Sequence, residues 1–226
     1  MEKKGRLIVI EGVDGCGKST QTRLLIKYLE SKGESYKFIH FPILEKGVYG
    51  KLIAQFLRGE IGSIENVHPK LVALMYACER KEHVQTLQEW LNEGYTIIAD
   101  RYVCSNVAYQ CAKLQNEQAK NELCDWILNL EFNVNSLPYP DKILFLDLPK
   151  ELIPKAMLNE RKGADRNYLE GAEDIHEADD SFQQKVYAEY TSLASTMKNF
   201  VKIKCYSNNA ILNIQDIHTL ICHELK

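Results

Sequence analysis

Eight consecutive residues, Gly12-Val13-Asp14-Gly15-Cys16-Gly17-Lys18-Ser19, satisfy G-x-x-x-x-G-K-[ST] at every fixed position. The chemistry suited to that spacing is a grip on polyphosphate. Glycines let successive backbone N–H groups turn inward around an anion, and the helix that follows presents its positive end to the same charge. Gly12, Gly15, Cys16, Gly17, Lys18, Ser19 and Thr20 are therefore expected around a nucleotide's phosphates. Lys18 would sit on the β and γ phosphates and Ser19 on Mg²⁺. A chance glycine-rich turn would lack the flanking context: an apolar, β-branched run at Leu7 to Ile10 before the motif and a helical pattern after it.

Asp100-Arg101 is a second pair able to do chemistry. Asp100 closes an apolar run, where a carboxylate is costly to bury unless it meets a cation or donors. It is expected to orient the Mg²⁺ shell through water; a helix N-cap is the plainer alternative. Arg101 reads as a phosphate clamp, because a guanidinium binds phosphate bidentately and keeps its charge; a surface ion pair is the alternative. Cys16, at a helix start, is either activated by that position or simply a small side chain.

These residues need a scaffold that brings them to one edge. Strands are expected at Leu7–Ile10, Ser35–Phe41, Tyr95–Asp100, Lys142–Asp147 and Phe200–Tyr206. Between them, helices are expected at Gln21–Lys32, Val48–Leu57, Pro69–Asn92, Ser105–Leu130, from Pro149, at Asp179–Lys198 and at Ile214–Glu224. Nearly all-apolar strands alternating with helices imply a five-stranded parallel sheet covered on both faces. Ligands gather at the carboxyl ends of such strands. That rim would carry the glycine motif, Phe41-Pro42, Asp100-Arg101 and the segment after Tyr206. Residues 159 to 180 turn polar and are expected to form a mobile loop. The acidic group Glu173, Asp174, Glu177, Asp179 and Asp180 reads as a solvated face favouring a helix start.

At 226 residues, with 45% hydrophobic and 26% charged residues, the chain suits one α/β domain spanning 1–226 and not a disordered one. A net charge of −3 provides no footprint for a nucleic-acid polymer. Seven cysteines without a C-x-x-C pair read as reduced thiols in a cytoplasmic protein. No apolar run approaches the ~18 residues of a membrane span.

The motifs EGVDGCGKSTQ, FLRGE at Phe56–Glu60, ACER, DRYVCSNVAYQ and LPYPDKILFLDLP together resemble the thymidylate kinase family over almost the whole chain. The resemblance implies a P-loop kinase fold with a mobile lid at about 159–180, ATP as co-substrate with Mg²⁺, dTMP as acceptor, and a homodimer. It implies that Asp14 holds the deoxyribose 3′-hydroxyl, that Tyr76 stacks on thymine and that Arg80 reads its O4. Asn106 would pair with the N3 edge, and Tyr109 would fill the space of a ribose 2′-hydroxyl. Phe41, Pro42, Arg101 and Ser105 complete the expected dTMP site, although a helix cap is the preferred reading of Ser105. For Tyr76 the plainer alternative is a core aromatic.

Two positions depart from the family pattern. Ile43 and Leu44 follow Phe41-Pro42 where many members carry a basic residue, so Arg101, Lys46 or Lys51 would carry that load. Gly15 stands where one branch has Arg, so a lid cation is expected from Arg161, Lys162 or Arg166, with Arg161 and Arg166 preferred for their planar fork. Arg161, Ser207 and Asn208 are the expected adenine contacts. The competing functions are a kinase for another nucleoside or nucleoside monophosphate, and a nucleotide-binding protein without catalysis.

Overall fold

The computed structural model describes residues 5–154, 164–171, 174–176 and 179–225, without the side chains of 164–166. Five parallel strands form one sheet in the order β2-β3-β1-β4-β5: β1 Arg6–Glu11, β2 Tyr36–His40, β3 Thr96–Asp100, β4 Lys142–Asp147 and β5 Phe200–Lys204. Every residue of β3, and every residue after the first in β1 and β4, is buried. Successive side chains point to opposite faces, so both faces of these central strands are covered. The edge strands β2 and β5 are half exposed and carry Lys37, Lys202 and Lys204, charges that discourage further strand pairing.

Registry aligns the strand ends. Ile10 and His40 both lie opposite Asp100, Glu11 lies opposite Phe145, and Asp147 opposite Lys204. One rim therefore collects Glu11, His40, Asp100 and Asp147.

Eight α-helices are described: α1 Lys18–Ser31, α2 Gly47–Leu57, α3 Pro69–Lys81, α4 Val84–Asn92, α5 Val103–Cys111, α6 Glu117–Leu128, α7 Asp180–Thr196 and α8 Ile214–Glu224. Helix α1 packs with α8, while α5 packs with α3, α6 and α7. Pro69 opens α3, as expected of a first-turn proline. Asn213 caps α8 through a bond from Asp216 N–H.

Two long expected helices are each broken. The span Pro69–Asn92 divides at Glu82-His83, where Glu82 N–H and His83 N–H bond to the carbonyls three residues back, Glu79 and Arg80. These tight bonds end α3 just where Glu79 and Arg80 are drawn into the interior. The span Ser105–Leu130 divides after Cys111, and Asn116 caps the new helix by accepting from Ala119 N–H. After α6 the chain continues as a π-helical turn, Asn129–Val134. Pro149 is followed by a short 3₁₀ turn, Lys150–Leu152, and not by an α-helix among the described residues. The last sheet strand stops at Lys204, and a small hairpin of β6 Tyr206–Ser207 and β7 Ala210–Ile211 follows.

Candidate active site

A cavity of about 1030 Å³ opens along the carboxyl rim. At one end stands the glycine motif. Gly12 has φ +150°, and a Cβ there would lie 2.6 Å from Cys16 Sγ and 3.3 Å from the Leu146 carbonyl oxygen. Any side chain would collide with the loop's own floor. Gly17, at φ +96°, directly precedes α1, and no side chain caps the helix there. The first N–H groups of α1 are thus left for an anion. Gly15, Gly17, Lys18, Ser19 and Thr20 line the cavity, while Gly12 and Cys16 lie beneath it. Lys18 Nζ donates to the carbonyls of Gly12 and Val13, 3.0 Å each, which holds the ammonium inside the loop's curve. Burial pushes the Cys16 thiol up, against the pull of Lys18 and Arg101; the residue is a small packed side chain and not an activated nucleophile.

Behind the loop, Glu11 is fully buried and organises the corner that follows β3. Its Oε1 accepts from Tyr102 N–H (2.9 Å) and Ser105 N–H (3.1 Å), and its Oε2 from the hydroxyls of Ser105 (2.6 Å) and Tyr190 (2.9 Å). A carboxylate from β1 therefore satisfies the start of α5. Ser105 is not a cap: the residue preceding α5 is Tyr102, whose side chain makes no capping bond. Asp100 does not cap α5 either.

Arg101 adopts φ +65°, a left-handed backbone costing of order 1 kcal/mol or more for a non-glycine residue and concentrated at functional sites. That turn swings its side chain back toward the loop. Its guanidinium bonds Asp14 Oδ1 (2.8 Å), the Gly12 carbonyl (3.2 Å), Ser105 Oγ (3.2 Å) and Tyr109 Oη (3.3 Å). Tyr109 Oη in turn donates to Asp14 Oδ2 at 2.6 Å, and Gln183 Nε2 reaches the same oxygen at 3.3 Å. Arg101, Asp14 and Tyr109 thus form one charged cluster on the cavity wall.

Asp100 also lines the cavity. Burial raises its pKa, but His40, with Nδ1 3.5 Å from Oδ2, together with Lys18 and Arg101, outweighs burial and holds the carboxyl below its ordinary value. Its Oδ1 is buried without a hydrogen-bond partner. An ionised carboxylate with an orphaned oxygen beside the Lys18–Ser19 turn suits a hydrated cation.

The opposite wall of the cavity is lined from α3 and α5, with Glu131 of the π-helical turn buried behind them. Phe41 is fully buried, edge-on to the His83 ring with centroids 5.9 Å apart, and the following peptide bond to Pro42 is cis. Tyr76 lines the cavity while also packing against the cluster of Ile53, Phe56, Leu57 and Val72. It is core on one side and cavity wall on the other. Arg80, 1% exposed, forms a two-pronged pair with Glu131: Nε to Oε2 at 2.6 Å and Nη2 to Oε1 at 2.5 Å. Burial disfavours that charge, but Glu131 outweighs it and drives the guanidinium's pKa up. Asn106 Nδ2 donates to Glu131 Oε1 (2.8 Å) and to the Ala73 carbonyl (3.0 Å). The oxygens Asn106 Oδ1 and Gln110 Oε1 are buried without partners.

Of the two lysines offered in place of the missing base after Phe41-Pro42, Lys46 lines the cavity and Lys51 does not. Ser207 and Asn208 lie on the small hairpin, outside the cavity lining. Asn208 and Asn209, at φ +49° and +59°, form its two-residue turn. Arg161 and Lys162, with the side chain of Arg166, fall outside the described residues, as do Glu173 and Glu177. Asp174 is not part of a solvated face: it is buried and accepts from Tyr168 Oη (2.7 Å) and His176 N–H (2.8 Å). Asp179 does start α7, capping it through Ser181 N–H and Phe182 N–H.

Sequence reasoning left Glu11, Glu131, Gln183, Tyr190 and His40 unassigned, and quoted Gln110 without giving it a role. Glu11 was detectable in principle, as a carboxylate ending an apolar run. Glu131 carries no local signal, because its partners come from other helices.

The thymidylate kinase family model matches residues 10–221. The chain belongs to the thymidylate kinase family. The thymidylate kinase of Plasmodium falciparum is 30% identical over 226 residues, covering 99% of this chain and 91% of the relative. That of Mycobacterium tuberculosis is 34% identical over 190 residues, covering 84% and 86%. A solved structure of thymidylate kinase from Candida albicans aligns with TM-score 0.73 at 29% identity, covering 97% of this chain and 90% of that one.

Proposed function

We propose that the protein transfers the γ-phosphoryl group of ATP to dTMP, forming dTDP for dTTP synthesis. The observation that carries this reading is one continuous cavity with the glycine motif at one end and Tyr76, Arg80 and Asn106 at the other. Phosphoryl transfer needs alignment of two phosphates and neutralisation of charge more than it needs a side-chain base. Lys18 and the α1 N–H groups hold the donor phosphates. Arg101 clamps the acceptor phosphate, with Lys46, which lines the same cavity, as a further cation. Asp14 accepts the 3′-hydroxyl, and the Tyr109 ring excludes a 2′-hydroxyl.

Ser19 and, through water, Asp100 would hold Mg²⁺, which when bound neutralises the β and γ phosphates; the orphaned Asp100 Oδ1 supports this assignment. Arg161 or Arg166 supplies the remaining cation from the segment 159–180, which serves as the lid of a single domain. A homodimer is supported by the exposure of Leu71 (59%) and Leu74 (39%) on one face of α3. No described helix is long and apolar enough to cross a membrane; seven cysteines without a C-x-x-C pair favour a cytoplasmic setting.

The test is ADP formation with dTMP, dUMP, dCMP, UMP and thymidine as acceptors. Highest kcat/KM for dTMP is expected. Preference for thymidine or UMP, or no turnover at micromolar enzyme, would overturn the reading.

A further inference from the structure

Asn106 Nδ2 carries two protons, and each has a partner: the Ala73 carbonyl and Glu131 Oε1. Both partners can only accept. The amide therefore has one allowed orientation, with nitrogen toward Glu131 and the buried, unpartnered Oδ1 on a residue that lines the cavity. Glu131 also takes two of the five N–H donors of Arg80, which lines the same wall. The donors that remain lie on the guanidinium edges turned away from Glu131.

The wall thus offers an acceptor beside a donor. A pyrimidine with N3–H and a 4-keto oxygen presents the complementary donor and acceptor. A 4-amino pyrimidine presents a bare N3 and an NH₂, mismatched at both positions. From this geometry we infer that Glu131, which touches no substrate, is a positioning residue that selects 4-keto over 4-amino pyrimidine nucleotides by locking Asn106 and Arg80. The inference rests on the dTMP reading above. Its energetic basis is that a site built for particular hydrogen bonds rejects an analogue that leaves buried polar groups unpaired.

Glu131→Gln removes the charge partner of Arg80 and weakens one of the two acceptors that hold the Asn106 nitrogen, leaving the Ala73 carbonyl as the firm one, so the acceptor-beside-donor pair is held less firmly. The kcat/KM ratio of dTMP to dCMP should fall by at least about tenfold, mainly through a higher KM for dTMP. The dTMP to dUMP ratio should stay within about twofold, because both bases are 4-keto, and KM for ATP should hardly move. Glu131→Asp, still an acceptor only, should restore most of the dTMP to dCMP ratio. Equal losses with dTMP and dCMP would overturn the positioning role while wild-type turnover of dTMP leaves the substrate reading standing. A wild-type enzyme that ignores dTMP would remove both.

If Glu131→Gln does not fold, the wild-type protein answers by NMR. The Asn106 side-chain NH₂ protons, identified by their loss in Asn106→Ser, should exchange slowly with solvent in the free protein, because both are held by Ala73 and Glu131. Fast exchange in the free protein that becomes slow only when dTMP is added would mean that the amide donates to the ligand, and the inference would fail.

Discussion

One end of the cavity belongs to eight consecutive residues that offer main-chain N–H groups and one lysine, whereas the opposite wall is made of side chains from α3 and α5, braced from behind by Glu131 of the turn Asn129–Val134. At the first end the requirement is conformational: Gly12 and Gly17 must take up backbone angles that other residues resist. At the second it is electrostatic, since Arg80, Glu131 and Asn106 are all buried and each depends on the others for its hydrogen bonds. Damage to the first end should therefore appear as lost rate in a sound fold. Damage to the second should appear as lost stability and altered nucleotide affinity.

The largest effect expected from this contrast is on rate. Lys18→Ala should lower kcat by at least about 100-fold, with thermal midpoint and dTMP affinity nearly intact by scanning calorimetry and titration calorimetry. Equal loss of dTMP affinity would mean that the two ends are not separable. Next in size, Arg80→Met leaves the Glu131 carboxylate buried without its cation, which should cost about 3–5 kcal/mol in urea unfolding. A cost below about 1 kcal/mol would show that the opposite wall tolerates an unpaired charge and would erase the contrast.

Lys113 sharpens the electrostatic half of the comparison, because its amine is buried without a hydrogen-bond partner, 5.0 Å from the Phe56 ring centroid. Burial lowers its pKa to about 7. Between about 7 and the ordinary lysine value near 10.4, the unfolded chain holds a proton at Lys113 that the folded chain lacks, so the contribution of Lys113 to stability should rise with pH across that window. Lys113→Met should stabilise the fold by about 1–3 kcal/mol at pH 7 and below, with the gain shrinking toward pH 10. A gain that is independent of pH would point to packing alone. The smallest effect belongs to Asp179, whose capping bonds hold the start of α7 and lower its carboxyl pKa. Asp179→Ala should cost about 1 kcal/mol and leave KM for both substrates unchanged.

The same contrast explains what could be read from the chain. The glycine motif, the five strands and the carboxyl rim were legible because each is local: a spacing, an apolar run, a strand end. Tyr76, Arg80 and Asn106 came through the family resemblance, and they do line the cavity, yet nothing nearby in sequence announces that Glu131 is what they share. The helix breaks after Lys81 and Cys111 were hidden because neither contains glycine or proline. At the first, short-range backbone bonds close the helix as Glu79 and Arg80 turn inward; at the second, Asn116 offered a cap signal that apolar periodicity masked. Asp174 was misjudged for a related reason, since an acidic stretch looks uniformly solvated until one member finds Tyr168.

Glu11 has a mechanical consequence. Through four hydrogen bonds it rivets the end of the central strand to the backbone at Tyr102 and Ser105 and to the Tyr190 hydroxyl of α7. The mounting of Arg101 and the root of the glycine motif are thereby parts of one rigid block. On the proposed reading, the spacing of the two phosphates would be set by the middle of the sheet.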